Sequence, residues 1–175
     1  METEKMALDI TDLKALVGRE SALVAARHPV NIPDIRHWSE VIREDDRSYR
    51  EFEKLTKHAP PAMLMVWTMP PLWSPETPAQ SEPHERAIRL LEGAGYATGL
   101  VVALEQKFLR PLKVGERLSY RVKLLGVSQG EVDTGVGRGY QLDLHYTFLN
   151  EAGEIVSEQL CRRVQVSRVA AQTKH

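Results

Sequence analysis

Between residues 97 and 168 the chain carries a single proline, Pro111, while the other nine of its ten all precede residue 84. A proline inside a central strand removes a ladder donor, so a long stretch almost free of it is what a sheet requires. Four segments there have strand character: 98–109, 117–128, 134–149 and 154–167. In the third, Tyr140, Leu142, Leu144, Tyr146 and Phe148 alternate with Asp143, His145 and Thr147, which gives one apolar and one polar face. Asn150, Glu151, Ala152 and Gly153 form a hairpin turn to the fourth, and Pro111 and Gly115 punctuate the gap between the first and second.

The preceding half reads as helices and loops. Thr11 and Asp12 open a first helix with Leu13, Leu16 and Val17 on one side and Gly18 as its stop. Residues 21–26 make a short strand. A second helix begins near Asn31, with Pro33 in its first turn and Asp34 complementing the positive helix end. Its apolar positions are Ile35, Trp38, Val41 and Ile42, with Arg36, Glu40 and Arg43 facing away. Segment 60–69 differs: after Pro60 and Pro61 it is apolar on every side, which predicts a helix buried all round, ended by Pro70 and Pro71. Residues 73–83 are a loop. Pro83 opens a further helix with Ala87, Ile88, Leu91 and Ala94 on one face and Gly93 or Gly95 near its end. These elements amount to an α+β domain with an antiparallel sheet packed on an apolar helix.

Composition narrows the function classes. A length of 175 residues suits one domain, here 1–168, with a frayed polar tail at 169–175. Twenty-three basic residues against 24 acidic ones leave no bulk field to attract nucleic acid or an anionic membrane. The lone Cys161 excludes a disulfide framework and points to a reducing, cytoplasmic compartment. No apolar leader precedes residue 15, and the stretch 62–67 is far below the roughly 20 residues of a membrane span. The six histidines never recur at metal-ligand spacing, so no metal site is expected. Gly135, Gly137 and Gly139 lie within strand residues and mark a bulge or a close backbone approach.

Three stretches together resemble a known family: Val30-Asn-Ile-Pro-Asp-Ile-Arg-His-Trp38, Ala59-Pro-Pro-Ala-Met-Leu-Met-Val-Trp-Thr-Met69 and Ala94-Gly-Tyr96. Glu105-Gln106, Arg110-Pro111, Val114-Gly115-Glu116 and Gly137-Arg-Gly-Tyr140 extend the likeness, which covers residues 15–167. They are similar to the MaoC-like acyl-CoA hydratases, and within them to the FAS1-like dehydratase branch often fused to an OB-fold domain of the DUF35 type. The resemblance implies a hot-dog fold, an antiparallel sheet wrapped around a central apolar helix. It also implies addition of water to a trans-2-enoyl-CoA, or its reversal, with the coenzyme A thioester as substrate and no further cofactor. Such chemistry needs a base poised near neutral pH and an N–H donor where enolate charge develops.

The family's hydratase motif, Asp-x-Asn-Pro-x-His, falls here on Arg43-Glu-Asp-Asp-Arg-Ser-Tyr49. Glu44 takes the Asp position, Asp46 the Asn, Arg47 the Pro and Tyr49 the His. A phenol of pKa about 10 does not replace an imidazole of about 6.5, so the dyad is expected to be broken. Glu44 and Tyr49 are its degenerate catalytic positions, though Glu44-Asp45-Asp46 also reads as a solvated charge run and Tyr49 as a packing residue. The helix start is better kept: the amides of Ala62 and Met63 are candidate oxyanion donors. Met63 and Trp67 are candidates to line an acyl channel as well as core residues.

Two classes of function remain. In the first, the chain completes the pocket for a bulky, steroid-like acyl-CoA in a homodimer or heteromer, while a catalytic MaoC-like partner supplies Asp and His. A self-sufficient homodimer using Glu44 is a variant. In the second, the chain is a non-catalytic acyl-CoA-binding or scaffold protein. A thioesterase would need a carboxylate near the central helix start, for which Glu51 or Glu53 are the candidates.

Overall fold

The computed structural model describes residues 8, 10–42, 58–69 and 82–167. In chain order these form α1 (Ile10–Lys14), β1 (Val24–Ala25), α2 (Ile32–Ile42), β2 (His58–Ala59), a 3-10 turn (Pro61–Met63) running into α3 (Leu64–Thr68), and α4 (Pro83–Gly93). The strands β3 (Thr98–Phe108), β4 (Leu112–Lys113), β5 (Ser119–Val127), β6 (Val132–Thr134), β7 (Gly137–Leu149) and β8 (Ile155–Val166) follow. The main sheet runs β1-β5-β7-β8-β3 with antiparallel neighbours, and β6 pairs with the start of β7. The expected strand 134–149 is therefore split, because the chain turns back at Gly135-Val136 and Gly137 takes a φ of 147° that favours glycine. The strand expected at 21–26 shrinks to β1 plus a bridge between Glu20 and Lys123.

The hairpin at 150–153 forms as its residues demand. Asn150 Oδ1 accepts from the backbone N–H groups of Ala152 and Glu154 at 3.0 and 2.9 Å, and Gly153 adopts φ 77°.

One face of the sheet holds the core, in two clusters. Leu13, Leu16, Ala87, Leu91 and Ala94, from α1 and the α4 region, cover Val122, Leu124, Leu142 and Leu144. Ile35, Met63, Leu64 and Trp67, from α2, the 3-10 turn and α3, cover Leu118, Phe148 and Val156. Tyr120 and Tyr146 pack against both clusters and mark the seam between them.

The helix expected at 60–69 is corrected here. It is a 3-10 turn followed by five α-helical residues, with Val66 38% and Met69 59% exposed. A segment that starts on two prolines and ends by Met69 is too short to span the sheet face, so the 11-residue α4 covers the other half. The layer over the sheet is thus shared among α1, α2, α3 and α4. On α2, Ile35 is buried, but Val41 at 82% exposure leaves the apolar face predicted for it.

Candidate functional site

The site is built where the family-like stretches converge. β2 pairs with β4, setting His58 opposite Lys113 and Ala59 opposite Leu112, so the chain entering Pro60 is fixed to the segment after Pro111. Val30 and the turn at Gly115-Glu116 exchange backbone hydrogen bonds, Gly115 N–H to Val30 O and Val30 N–H to Glu116 O, both 2.8 Å. Arg110 locks this corner. Its Nη2 and Nη1 donate to Glu116 at 2.7 and 3.1 Å, Nη1 also reaches Pro111 O, and Nε donates to Glu154 at 3.0 Å. Hydrogen bonding to Glu116 holds the guanidinium pKa above its ordinary value.

The 3-10 turn rests on that corner. Pro60 and Pro61 have no N–H; the Met63 N–H donates to Pro60 O at 3.0 Å and the Leu64 N–H to Pro61 O. The Met63 amide is therefore used within the turn and is not a free donor, contrary to the expectation. The Ala62 amide remains: Ala62 is exposed, and no described residue accepts its N–H. The Met63 side chain is buried at 1% exposure and Trp67 at 5%. The Trp67 indole Nε1–H donates to Asp34 Oδ2 at 3.2 Å, the same oxygen that accepts from Asn31 Nδ2 at 2.7 Å. Trp67 thus ties α3 to the start of α2, where Asn31 Oδ1 caps the Asp34 N–H. Glu44 and Tyr49, with Glu51 and Glu53, lie outside the described residues.

At the seam, Tyr120, Tyr146 and Phe148 form an aromatic floor with ring centroids 6.2–6.3 Å apart. Burial, then the neighbouring Cys161 and Tyr120, push the Tyr146 phenol up to about 12, so it stays a neutral donor at physiological pH. Glu85, in the first turn of α4, faces this floor, and its charge raises the pKa of both tyrosines. Burial raises the Glu85 carboxyl in turn, against the pull of Arg89. Beside it, burial lowers the His84 imidazole, whose Nδ1 is buried without a partner. None of Tyr120, Tyr146, His84 or Glu85 was expected as a site residue. A tyrosine on each of two neighbouring strands, with a helix opening on Pro-His-Glu packed above, was the available signal.

The site runs out to an open edge. β3 pairs with β8 along one side and, among the described residues, ends the sheet on the other, and Val101, Val102 and Leu104 are 61%, 50% and 54% exposed. Among the described residues there is no group of three or more His, Cys, Asp or Glu able to hold a metal, and no helix long and apolar enough to cross a membrane. Chemically, the arrangement offers one N–H donor at Ala62, an aromatic floor with phenol donors, and a carboxyl of raised pKa.

Comparison with known proteins agrees with this architecture. A family model described as "FAS1-like, dehydratase domain region" matches residues 15–159. A probable enoyl-CoA hydratase alpha subunit of Thermomonospora curvata is 29% identical over 86% of the chain and 49% of its own length. A 3-oxo-4,17-pregnadiene-20-carboxyl-CoA hydratase alpha subunit of Mycobacterium tuberculosis is 34% identical over 69% of the chain and 40% of its own length. The chain thus spans about half or less of the curated relatives it matches. A chain from the crystal structure of the ChsH1-ChsH2 complex of Mycobacterium tuberculosis superposes with TM-score 0.75 at 29% identity, covering 94% of this chain and 96% of that one. A MaoC-like dehydratase superposes at TM-score 0.54 and 18% identity over 89% of this chain and 43% of that one, a likeness of fold alone.

Proposed function

The chain belongs to the FAS1-like dehydratase domain family, a MaoC-like family with the hot-dog fold, and from that premise we propose that it is one half of an enoyl-CoA hydratase or 3-hydroxyacyl-CoA dehydratase. In this reading it works in the cytoplasm and completes the pocket for a bulky, steroid-like acyl-CoA, while a partner hot-dog chain supplies the Asp and His. The observation that carries it is the β3 edge: a strand that, among the described residues, pairs on one side only and has three large apolar side chains at least half exposed. Natural proteins protect such edges with charges or cover them, and here cover by a second chain completes the unit. Relatives named as alpha subunits, and a similar chain solved within a complex, support a heteromeric assembly.

The Ala62 N–H polarises the thioester carbonyl in this scheme, and the half-buried Tyr120 and Tyr146 carry the flat acyl body, with Phe148 packed in the core beneath them. The test is hydration of crotonyl-CoA and of a bulkier enoyl-CoA by the chain alone and co-expressed with a neighbouring MaoC-like chain. Turnover only in the pair supports the reading; full turnover alone refutes it and moves attention to Glu44, whose change Glu44→Gln then abolishes activity. Val102→Lys places a charge on the exposed edge and is expected to abolish association and joint turnover without unfolding the chain.

A second reading has its own observation. Glu85 is a carboxylate of raised pKa in the first turn of α4 and not at the start of the helix at 61–68, where a thioesterase carboxylate was expected with Glu51 and Glu53 as candidates. Release of free CoA that Glu85→Gln removes would favour it.

A further inference from the structure

The inner face of the sheet is apolar along β5 and β7, yet one rung across β7, β8 and β3 is polar throughout. Register sets Tyr146 opposite Gln159 and Gln159 opposite Gln106, so the three side chains share one face. The rung on one side is Leu144, Cys161 and Leu104. The rung on the other is Phe148, Ser157 and Phe108, in which the Ser157 hydroxyl is already satisfied by Lys107 O at 2.9 Å.

The two glutamines are not satisfied. Gln159 is 4% exposed, and its Oε1 is buried without a hydrogen-bond partner. Gln106 Nε2 is likewise buried and unpartnered. An orphaned buried amide atom is destabilising unless something supplies the missing partner. Here one orphan accepts and the other donates, on directly opposed positions whose Cβ atoms stand about 5 Å apart. A ligand hydroxyl group, like a water molecule it would displace, answers both, donating to Gln159 Oε1 while accepting from Gln106 Nε2. Tyr146 stands at the inner end of the rung, opposite Gln159. Its outer end is the open edge strand, where a partner chain would close the pocket.

We propose that the Tyr146–Gln159–Gln106 rung is a specificity site that seats a hydroxyl group on the acyl part of a thioester ligand. The proposal rests on the acyl-CoA reading above and adds which residues of this chain select the ligand and by what chemistry. A plain hydrocarbon acyl group leaves the two amides unpaired and is discriminated against; a hydroxylated one pairs both.

Calorimetric titration with 4-hydroxybutyryl-CoA, whose hydroxyl is not the reacting one, and with butyryl-CoA tests it, using the assembly of the hydration assay and the chain alone. The native protein is expected to bind the hydroxylated thioester about tenfold or more tightly, the scale set by one unsatisfied buried polar group. Gln159→Leu should bring the ratio close to one by strengthening butyryl-CoA binding as well as weakening the other. Gln106→Leu, on the edge strand where folding is least at risk, should shift the ratio in the same direction by less. A native ratio near one, or a ratio that neither variant changes, overturns the proposal while leaving the acyl-CoA reading intact. Failure of both thioesters to bind overturns the two together.

Discussion

β7 and β3 are strands of similar length and similarly apolar sequence, and they meet opposite fates. In β7, Leu142 is 0%, Leu144 2% and Phe148 0% exposed, because β5 and β8 flank it and α1, α3 and α4 lie above it. In β3, Leu104 is 54% and Val101 61% exposed although Leu104 shares its face with Cys161 and Leu144, because among the described residues the strand is the last of the sheet and neither helix cluster reaches it. The bulge between Val101 and Ala103 and the charges of Glu105 and Lys107 protect part of this edge, but residues 100–104 carry no charge. The difference teaches that the molecule spends apolar residues where its own chain does not bury them, which is the mark of a surface built for cover.

The largest effect expected from this contrast comes from matching truncations. Leu142→Ala removes a fully buried side chain from the first core cluster and should cost about 2–5 kcal/mol, the cavity included. Leu104→Ala, at the same distance from a charged residue and in an equally regular strand, should stay within about 0.5 kcal/mol in the isolated chain. Urea unfolding of the two variants checks both figures. Equal losses would mean that β3 is packed after all and that its exposure is no argument for a partner.

The same contrast decides what was legible in the sequence. Alternation in residues 140–148 predicted which face of β7 is buried, and it was right because a central strand has no choice of face. Alternation could not rank β3 below β7, since sheet order depends on pairings between residues far apart in the chain. The proline pair at 60 and 61 announced the helix start, and the site corner around Arg110, Glu116 and Val30 was visible as separate short motifs. The helix length was overestimated because apolarity on all sides was read as burial along the whole of 60–69, whereas Val66 and Met69 are exposed. Glu85 and the glutamine rung went unread for a related reason. A carboxylate at a helix start and a glutamine in a strand are ordinary locally, and only the seam and the register make them a site.

A second prediction sharpens the comparison at the two glycines that face β8. A Cβ built on Gly139, in β7, collides with the backbone carbonyl of Gln165, and neighbouring β8 backbone atoms stand almost as close. The glycine reading of a close backbone approach therefore holds at Gly139, while Gly135 meets open space. The atoms nearest to a Cβ on Gly99, in β3, belong to the Arg163 and Gln165 side chains, and the long Arg163 side chain can swing aside. Gly139→Ala is expected to cost about 1–3 kcal/mol or more through forced strand separation. Gly99→Ala should cost clearly less, with the loss of the Arg163 Nε to Gln165 Oε1 hydrogen bond, now 2.9 Å, as its visible consequence. Thermal unfolding ranks the two; a reversed order would place the tighter strand interface at β3.

The smallest effect is in pH, and it again separates the covered half from the edge. Burial lowers the His84 pKa, so in the window between its folded value and the unfolded value near 6.5 the unfolded chain binds more protons than the folded one. Stability linked to His84 is therefore present above that window and is lost as pH falls through it. Glu85 acts in the opposite sense: burial raises its carboxyl, so the folded chain holds the extra proton, and stability falls as pH rises through the window above the ordinary carboxylate value. Both groups sit where α4 meets the sheet. His84→Gln should flatten the loss of stability on mild acidification, and Glu85→Gln should leave the chain slightly more stable at neutral pH. Substituting Lys107, an exposed charge on β3, should change neither slope. Denaturation midpoints measured across the two windows check all three, and an unchanged slope in His84→Gln would show that α4 does not bury its imidazole against the sheet.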